Sequence, residues 1–397
     1  MIEDRYDVVV IGAGPAGSVA ARFAAEKGAS VLILERDREP GIPVRCAEGV
    51  SHDGIAPFIK IDKRWIATKI KTAGLHAPNG KKAVMYNNGD GYVLERRIFD
   101  TELCNIACQK GATLLTKADA VGLVWENSKI VGVKYRHLNQ KKVVRCSLVI
   151  GADGVESQVG QWAGIDTSVK LRDIDTCVQY TLTNIEIEDT ERCEFYFGTK
   201  IAPGGYIWIF PKSNNTANVG IGIAGNLAKE KGPKEYLDDF LNEYYPKASI
   251  NYMVYGGVPT SDTLNEIVKD NLMLVGDAAR QVNPITGGGI VQGMIAGSIA
   301  GKVAAEAFQK KDFSKKFLNK YSKEWNKKLG YKQKTMYRMK DKFMGMDDNR
   351  FNNLVEICQK IPKDKFNLRI LFQEVIKGDP KMMLEIAKAF VISNVKK

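Results

Sequence analysis

Histidine is nearly missing from this chain, with three in 397 residues. The seven cysteines, at 46, 104, 108, 146, 177, 193 and 358, include no C-x-x-C pair. A structural zinc site is therefore not expected, and no metal is assigned. Scattered thiols without a disulfide framework suit a reducing, cytoplasmic setting. No apolar run reaches about 18 residues, so no spanning helix is expected. The start shows no charged region leading into an apolar stretch, so no signal peptide is expected. Tandem repeats and low-complexity linkers are absent, as is any nucleic-acid recognition motif, which argues against a nucleic-acid partner.

Acidic charge is scarce in one region. The net charge is +12, and residues 301–345 hold 14 Lys or Arg against four acids. Within that stretch Met336, Met339, Phe343 and Met346 follow roughly helical spacing, with Lys334, Arg338, Lys340 and Lys342 between them. A basic amphipathic helix of this kind suits peripheral contact with the inner face of an anionic membrane. A solvated face over a core-packing stripe is the plainer reading.

What is present begins with Tyr6 to Ile11, a β-branched run of the kind that forms a buried parallel strand. Gly12, Gly14 and Gly17 follow at G-x-G-x-x-G spacing. The first allows a tight turn, the second close approach of a pyrophosphate, and the third packing of the next helix. The Ala-rich stretch Ser18 to Lys27 reads as that helix, its positive end facing the phosphates. Ala29 to Leu34 is the second strand, and Glu35 closes it where an acid meets ribose hydroxyls. A free 2′-hydroxyl, hence FAD or NAD rather than NADP, is implied, although Arg36 follows directly. No second fingerprint of this type occurs, so a tightly held NAD(P)H is not indicated.

Further along, Arg36 to Asp53 is a long loop containing Cys46, Ala47 and Gly49, and long loops are commonly functional. Phe99 to Lys110 reads as a helix with Cys104 and Cys108 as small core residues. Arg96 or Arg97, just before it, is placed to neutralise a pyrophosphate. Lys129 to Tyr135 and Lys141 to Ile150 suggest a hairpin that ends in the turn Gly151-Ala-Asp153-Gly154. Four strand-length segments follow, Cys177 to Thr183, Arg192 to Gly198, Tyr206 to Pro211 and Asn218 to Ala224. Leu227 to Tyr245 reads as helical, and Asn251 to Pro259 as the return to the cofactor domain. Asn271 to Val275 is its last strand, followed by Gly276 and Asp277. A glycine-rich turn, Pro284 to Gly289, opens a helix over Ile290 to Gln309. Three more helices are expected, the last with Asp379 as N-cap and Pro380 in first position.

Four ordered signatures stand out: Gly12 to Gly17 with Glu35, then Arg96, then Gly151 to Gly154, then Gly276-Asp277. Over residues 1 to about 310 they resemble the flavoprotein class that includes aromatic hydroxylases, flavin halogenases and geranylgeranyl reductases. Pro203-Gly-Gly-Tyr206-Ile-Trp208-Ile-Phe210-Pro211 matches the PxxYxWxFP pattern of the geranylgeranyl reductases. Arg280 stands where hydroxylases usually carry His, and the Arg45-Cys46-Ala47-Glu48-Gly49 loop is similar to that of the archaeal reductases.

The resemblance implies an α/β fold. Residues 1–75, 92–175 and 256–310 would form a Rossmann-type FAD-binding domain. Residues 76–91 and 176–255 would form an inserted antiparallel-sheet substrate domain, and 311–397 a helical C-terminal region. FAD is implied to contact Gly12, Gly14, Ala16, Gly17, Glu35, Cys46, Ala47, Gly49, Arg96, Ala120, Asp277, Gly289 and Ile290; Ala120 enters by position alone. Tyr206 and Trp208 are implied to line an isoprenoid pocket, with Cys46 a candidate proton donor or flavin neighbour. The implied activity is saturation of geranylgeranyl double bonds in archaeal ether-lipid synthesis. The substrate would be an isoprenoid ether phospholipid or geranylgeranyl diphosphate, and electrons would come from ferredoxin or NAD(P)H. Lys332 or Arg369 would receive the head group. The rivals are an FAD-dependent monooxygenase acting on a hydrophobic substrate, a halogenase (whose usual catalytic Lys near the flavin is not assignable here), and a non-catalytic flavin carrier or lipid-binding module.

Overall fold

The run Val8 to Ile11 builds what its composition dictates. Arg5–Ile11 is a buried strand, parallel to Val31–Leu34 on one side and to Gln140–Gly151 on the other. In the computed structural model, which describes residues 3–361, it is a central strand of the first of two eight-stranded sheets. The order there is Val268–Lys269, Leu272–Leu274, Gln140–Gly151, Arg5–Ile11, Val31–Leu34, Ala112–Leu115. Two further strands, Ala118–Glu126 and Lys129–His137, extend from Gln140–Gly151 as an antiparallel meander. The expected hairpin is thus the second half of a three-stranded unit.

Two helices cover this sheet beside the glycine turn, Pro15–Ala25 and Ile290–Lys310. They touch backbone to backbone. A Cβ on Gly297 would lie 2.2 Å from the Ala16 carbonyl oxygen, and one on Gly301 2.4 Å from that of Ala20. The small residues that the sequence concentrates here are what permit this crossing.

The second sheet runs Ser249–Val258, Asp175–Thr183, Thr216–Ala224, Tyr206–Pro211, Arg192–Tyr196, Ile66–His76, Lys82–Leu94, Gly49–Ser51. Its own apolar core, with Val178, Ile207, Ile221 and Leu237, lies under the helix Pro233–Tyr244. Three features differ from expectation. Arg192–Tyr196 pairs parallel with Ile66–His76, so the sheet is mixed rather than wholly antiparallel. Ile66–His76 and Gly49–Ser51 belong to this sheet although residues up to 75 were assigned to the first. Ser249–Val258 is its edge strand, hydrogen-bonded to Asp175–Thr183, rather than a return to the cofactor domain. All three depend on pairings between segments far apart in sequence.

Beyond residue 310 come Lys315–Trp325, a π-helical turn, Tyr331–Met344 and Asp348–Lys360. The basic stretch is not a uniform solvated face. Lys340 is buried, donating hydrogen bonds to the Arg172 and Thr260 carbonyls, and Met346 packs with Phe197 and Phe351. The helix expected at Asp379 and Pro380, and Arg369, lie outside the described residues. No helix among the described residues is long and apolar enough to cross a membrane.

Candidate active site

A cavity of about 1240 Å³ runs from the glycine turn of the first sheet to the aromatic face of the second. Its first half is a dinucleotide crevice. Gly12, at φ +103°, and Gly17 shape the turn from behind: a Cβ on Gly12 would lie 2.3 Å from the Ala152 carbonyl oxygen, and one on Gly17 2.0 Å from that of Gly12. At Gly14 a Cβ would meet no atom within 4 Å. The backbone there is open to close approach from the cavity. The helix that starts at Pro15 has no side-chain cap and no acid in its first turn, leaving amide N–H groups and the positive dipole end for phosphate.

Glu35 accepts hydrogen bonds from the Ala13 and Asp37 amides at 2.8 and 2.9 Å. Burial pushes its carboxyl up, and those two amides pull it partly back. Asp277 also lines the crevice; burial raises it to about 6, opposed by the charge of Arg96. Arg96 is held by Asp100 through two 2.7 Å bonds. These residues fit an adenine dinucleotide: a close-approach glycine, an open helix end, a cation in reach of the crevice, a carboxyl at the end of the fingerprint, Glu35, and a second from the distant Gly276-Asp277 turn.

The Cys46 loop closes the middle of the cavity, and its anchor is Glu48. Glu48 adopts φ +75° and is buried. One carboxylate oxygen accepts from the Arg96 amide at 3.0 Å. The other accepts from Lys212 Nζ at 2.7 Å and Asn218 Nδ2 at 2.6 Å. A single buried carboxylate thus joins the loop, the helix Arg96–Gln109 and the second sheet. The Glu48 amide points at Cys46 Sγ, 3.2 Å away, and the Cys46 carbonyl accepts from Gln179 Nε2 at 2.8 Å. Burial raises the Cys46 thiol; the Arg96 charge opposes the rise.

The far half is aromatic. Tyr206, Trp208 and Phe210, alternate residues of one strand, all line the cavity with Phe195 and Phe197. Trp208 lies flat on its paired neighbour Gly220, where a Cβ would fall 2.3 Å from the ring. Its indole N–H donates to Gln179 Oε1 at 3.0 Å. The Tyr206 hydroxyl donates to the Thr286 carbonyl at 2.6 Å, tying this wall to the glycine-rich turn.

Of the residues singled out in the sequence, Gly14, Ala16, Glu35, Cys46, Ala47, Gly49, Arg96, Tyr206, Trp208, Asp277, Gly289 and Ile290 line this one cavity. Ala120 does not. It sits on the meander strand Ala118–Glu126 and packs against the first core. Arg280 also turns away, its guanidinium donating to the Ser168 carbonyl. His52 bonds the Tyr92 hydroxyl at 2.8 Å. Of the two helix cysteines, Cys104 is buried and Cys108 exposed. Sequence reasoning gave no role to Glu48, Asp175, Gln179, Lys212 or Asn218. The polar residues Asp175 and Gln179 in an apolar strand are a signal visible in the sequence; the convergence on Glu48 is not.

Comparison with known proteins agrees with this layout. Residues 173–258 match the model for the geranylgeranyl reductase catalytic domain, and residues 7–197 that for FAD dependent oxidoreductases. The chain is 44% identical to digeranylgeranylglycerophospholipid reductase 2 of Methanococcoides burtonii over 393 residues, covering 98% of this chain and 97% of that protein. It is 50% identical over 299 residues to the digeranylgeranylglycerophospholipid reductase of Methanosarcina mazei, covering 74% and 73%. A crystal structure of a geranylgeranyl bacteriochlorophyll reductase-like protein from Thermoplasma acidophilum superposes with a TM-score of 0.92 at 37% identity, covering 97% of this chain and 99% of that one. A flavin-dependent brominase shares the fold alone, at a TM-score of 0.75 and 18% identity.

Proposed function

This chain belongs to the geranylgeranyl reductase family of FAD-dependent oxidoreductases, and on that premise we propose that it saturates the geranylgeranyl chains of digeranylgeranylglycerophospholipid, taking the lipid to its phytanyl form. One observation carries the reading. The dinucleotide crevice, the Cys46 loop and the aromatic strand Tyr206–Pro211 share a single cavity.

FAD, held by Gly14, Ala16, Glu35, Arg96, Asp277, Gly289 and Ile290, supplies a hydride when reduced. The remaining work falls to the protein. Prenyl double bonds are isolated and unpolarised, so no oxyanion develops and oxyanion donors would gain nothing. Positioning and exclusion of water are what remain. Tyr206, Trp208 and Phe210 offer rigid apolar surface at low entropic cost. Gln179 fixes both Trp208 and the Cys46 carbonyl, so wall and loop keep one spacing. Electrons come from an external donor, a ferredoxin or NAD(P)H, since no second dinucleotide fingerprint is present. The lipid is taken up by peripheral contact with the cytoplasmic membrane face, where the exposed Lys332 receives its head group.

The test is anaerobic incubation of the dithionite-reduced, FAD-loaded protein with digeranylgeranyl phospholipid, followed by mass spectrometry. Mass gains in steps of two hydrogens are expected. Oxygen-dependent gain of an oxygen atom, or no change at all, would replace this reading with a monooxygenase or a carrier.

A further inference from the structure

Where the aromatic wall meets the glycine-rich turn, a buried carboxyl stands in the cavity wall. Asp175 begins the strand Asp175–Thr183, is 7% exposed and lines the cavity. Its partner across the sheet is Ala224; Gly222, two residues back on that strand and paired with Cys177, has no side chain to cover Asp175: a Cβ there would lie 3.9 Å from the Asp175 Cβ and 3.3 Å from Cys177 Sγ. Tyr206, paired with Gly222, reaches the turn that bounds the cofactor crevice. Asp175 thus faces the space between the crevice and the prenyl wall.

Behind it lies a hydrogen-bonded chain. Lys340 Nζ donates to Thr260 Oγ1 at 2.7 Å, and Thr260 Oγ1 donates to Asp175 Oδ1 at 3.0 Å. Lys340 is 2% exposed, so a buried cation from the C-terminal helix is aimed through one hydroxyl at one carboxyl. Such a pair is costly to bury and gives the fold little net stability.

We propose that Asp175 is the acid that protonates the prenyl double bond. The proposal rests on the reductase reading above and adds the identity of its proton donor. As the π bond breaks, a hydride from the reduced flavin forms a C–H bond at one alkene carbon. The Asp175 O–H bond breaks, and its proton forms the second C–H bond. The alkene is reduced, the flavin oxidised, and Asp175 is left a carboxylate stabilised by Thr260 and Lys340. Water restores the proton once product leaves.

The charge environment suits the role. Burial raises Asp175 to about 6, with Lys340 and the Thr260 hydroxyl opposing the rise. The other ionisable groups near this pair are Tyr206, Cys177, Arg172, Asp173 and Asp341. A carboxylic acid near 6 is partly protonated in mildly acidic solution and is a far stronger acid than a buried thiol such as Cys46.

The test compares wild type, Asp175→Asn and Thr260→Val as FAD-loaded proteins, reduced anaerobically and mixed once with digeranylgeranyl phospholipid between about pH 5 and 8. Flavin reoxidation and lipid mass are followed together. Wild-type saturation should slow as pH rises through about 6. Asp175→Asn should keep its flavin, read by fluorescence quenching, lose roughly 100-fold or more in rate, and show no such limb. Thr260→Val removes a bond that favours the carboxylate, so its limb should move to higher pH. Difference infrared spectra provide a readout independent of turnover: of the carboxyl C=O stretches that titrate near 6 in wild type, to which Asp153 and Asp277 also contribute, one should be lost in Asp175→Asn. A flavin-loaded Asp175→Asn with the wild-type rate and profile overturns the assignment and leaves the reductase standing. Failure of wild type and variants alike to saturate the lipid overturns both.

Discussion

Single residues divide here into those whose role is steric and those whose role is chemical. Gly12 is steric: its φ of +103° and a 2.3 Å approach to the Ala152 carbonyl leave no room for a methyl. Gly12→Ala should cost about 1–3 kcal/mol and release the flavin, seen as a lower melting temperature and a colourless eluate. Cys46 is chemical. Cys46→Ala should keep FAD bound and slow alkene saturation by about ten-fold, or roughly 1.4 kcal/mol, in single-turnover mixing. A wild-type rate in that variant would reduce Cys46 to a packing residue. The glycines were legible in the sequence because a turn is a local object, set by neighbours in the chain. Glu48 was not, because its value comes from Arg96, Lys212 and Asn218, which arrive from distant elements.

Among elements, the tightest constraint is the crossing of Pro15–Ala25 with Ile290–Lys310. Gly297→Val must push two backbones apart and should destabilise by about 1–3 kcal/mol in urea titration. Gly122→Ala, in a roomy part of the meander, should stay within about 0.5 kcal/mol. The strand Tyr206–Pro211 lends itself to a different measurement. Trp208→Ala should lose more turnover on the long-chain lipid than on a short isoprenyl substrate, and equal losses would remove the chain-lining role. Element type was readable wherever periodicity or composition was strong, as in the first strand, its helix and Ile290–Lys310. Partnership was not. Nothing in Arg192–Tyr196 announces a parallel neighbour more than 100 residues earlier, since pairing is chosen by tertiary packing rather than by local pattern.

For the molecule as a whole, buried carboxyls set opposing responses to acid. Asp153, Asp175 and Asp277 are raised by burial from 3.8 to about 6. In that interval the fold holds protons that the unfolded chain does not, so stability rises as pH falls from 6 towards 4. Glu194 acts the other way. Burial would raise it, but hydrogen bonds from His76, Arg192 and Lys82 hold it at about 2, so its contribution is lost as pH falls below 4.5. The FAD-free protein should therefore melt at its highest temperature at about pH 4, and Glu194→Gln should blunt the acid side of that curve. A melting temperature that climbs steadily from pH 5 to 8 would contradict the carboxyl assignments.

Phe343 projects from the C-terminal helices into the cavity and meets Phe197 and Phe351 edge-on, with Met346 packed beside them. The helix Tyr331–Met344 thus brings a ring to the aromatic end of the cavity, where it acts as a stopper. Under the proposed function, Phe343→Ala should deepen the bore and let longer polyprenyl tails be saturated, while Phe343→Trp should favour shorter ones, so the length of chain accepted could be tuned at a site remote from the dinucleotide crevice.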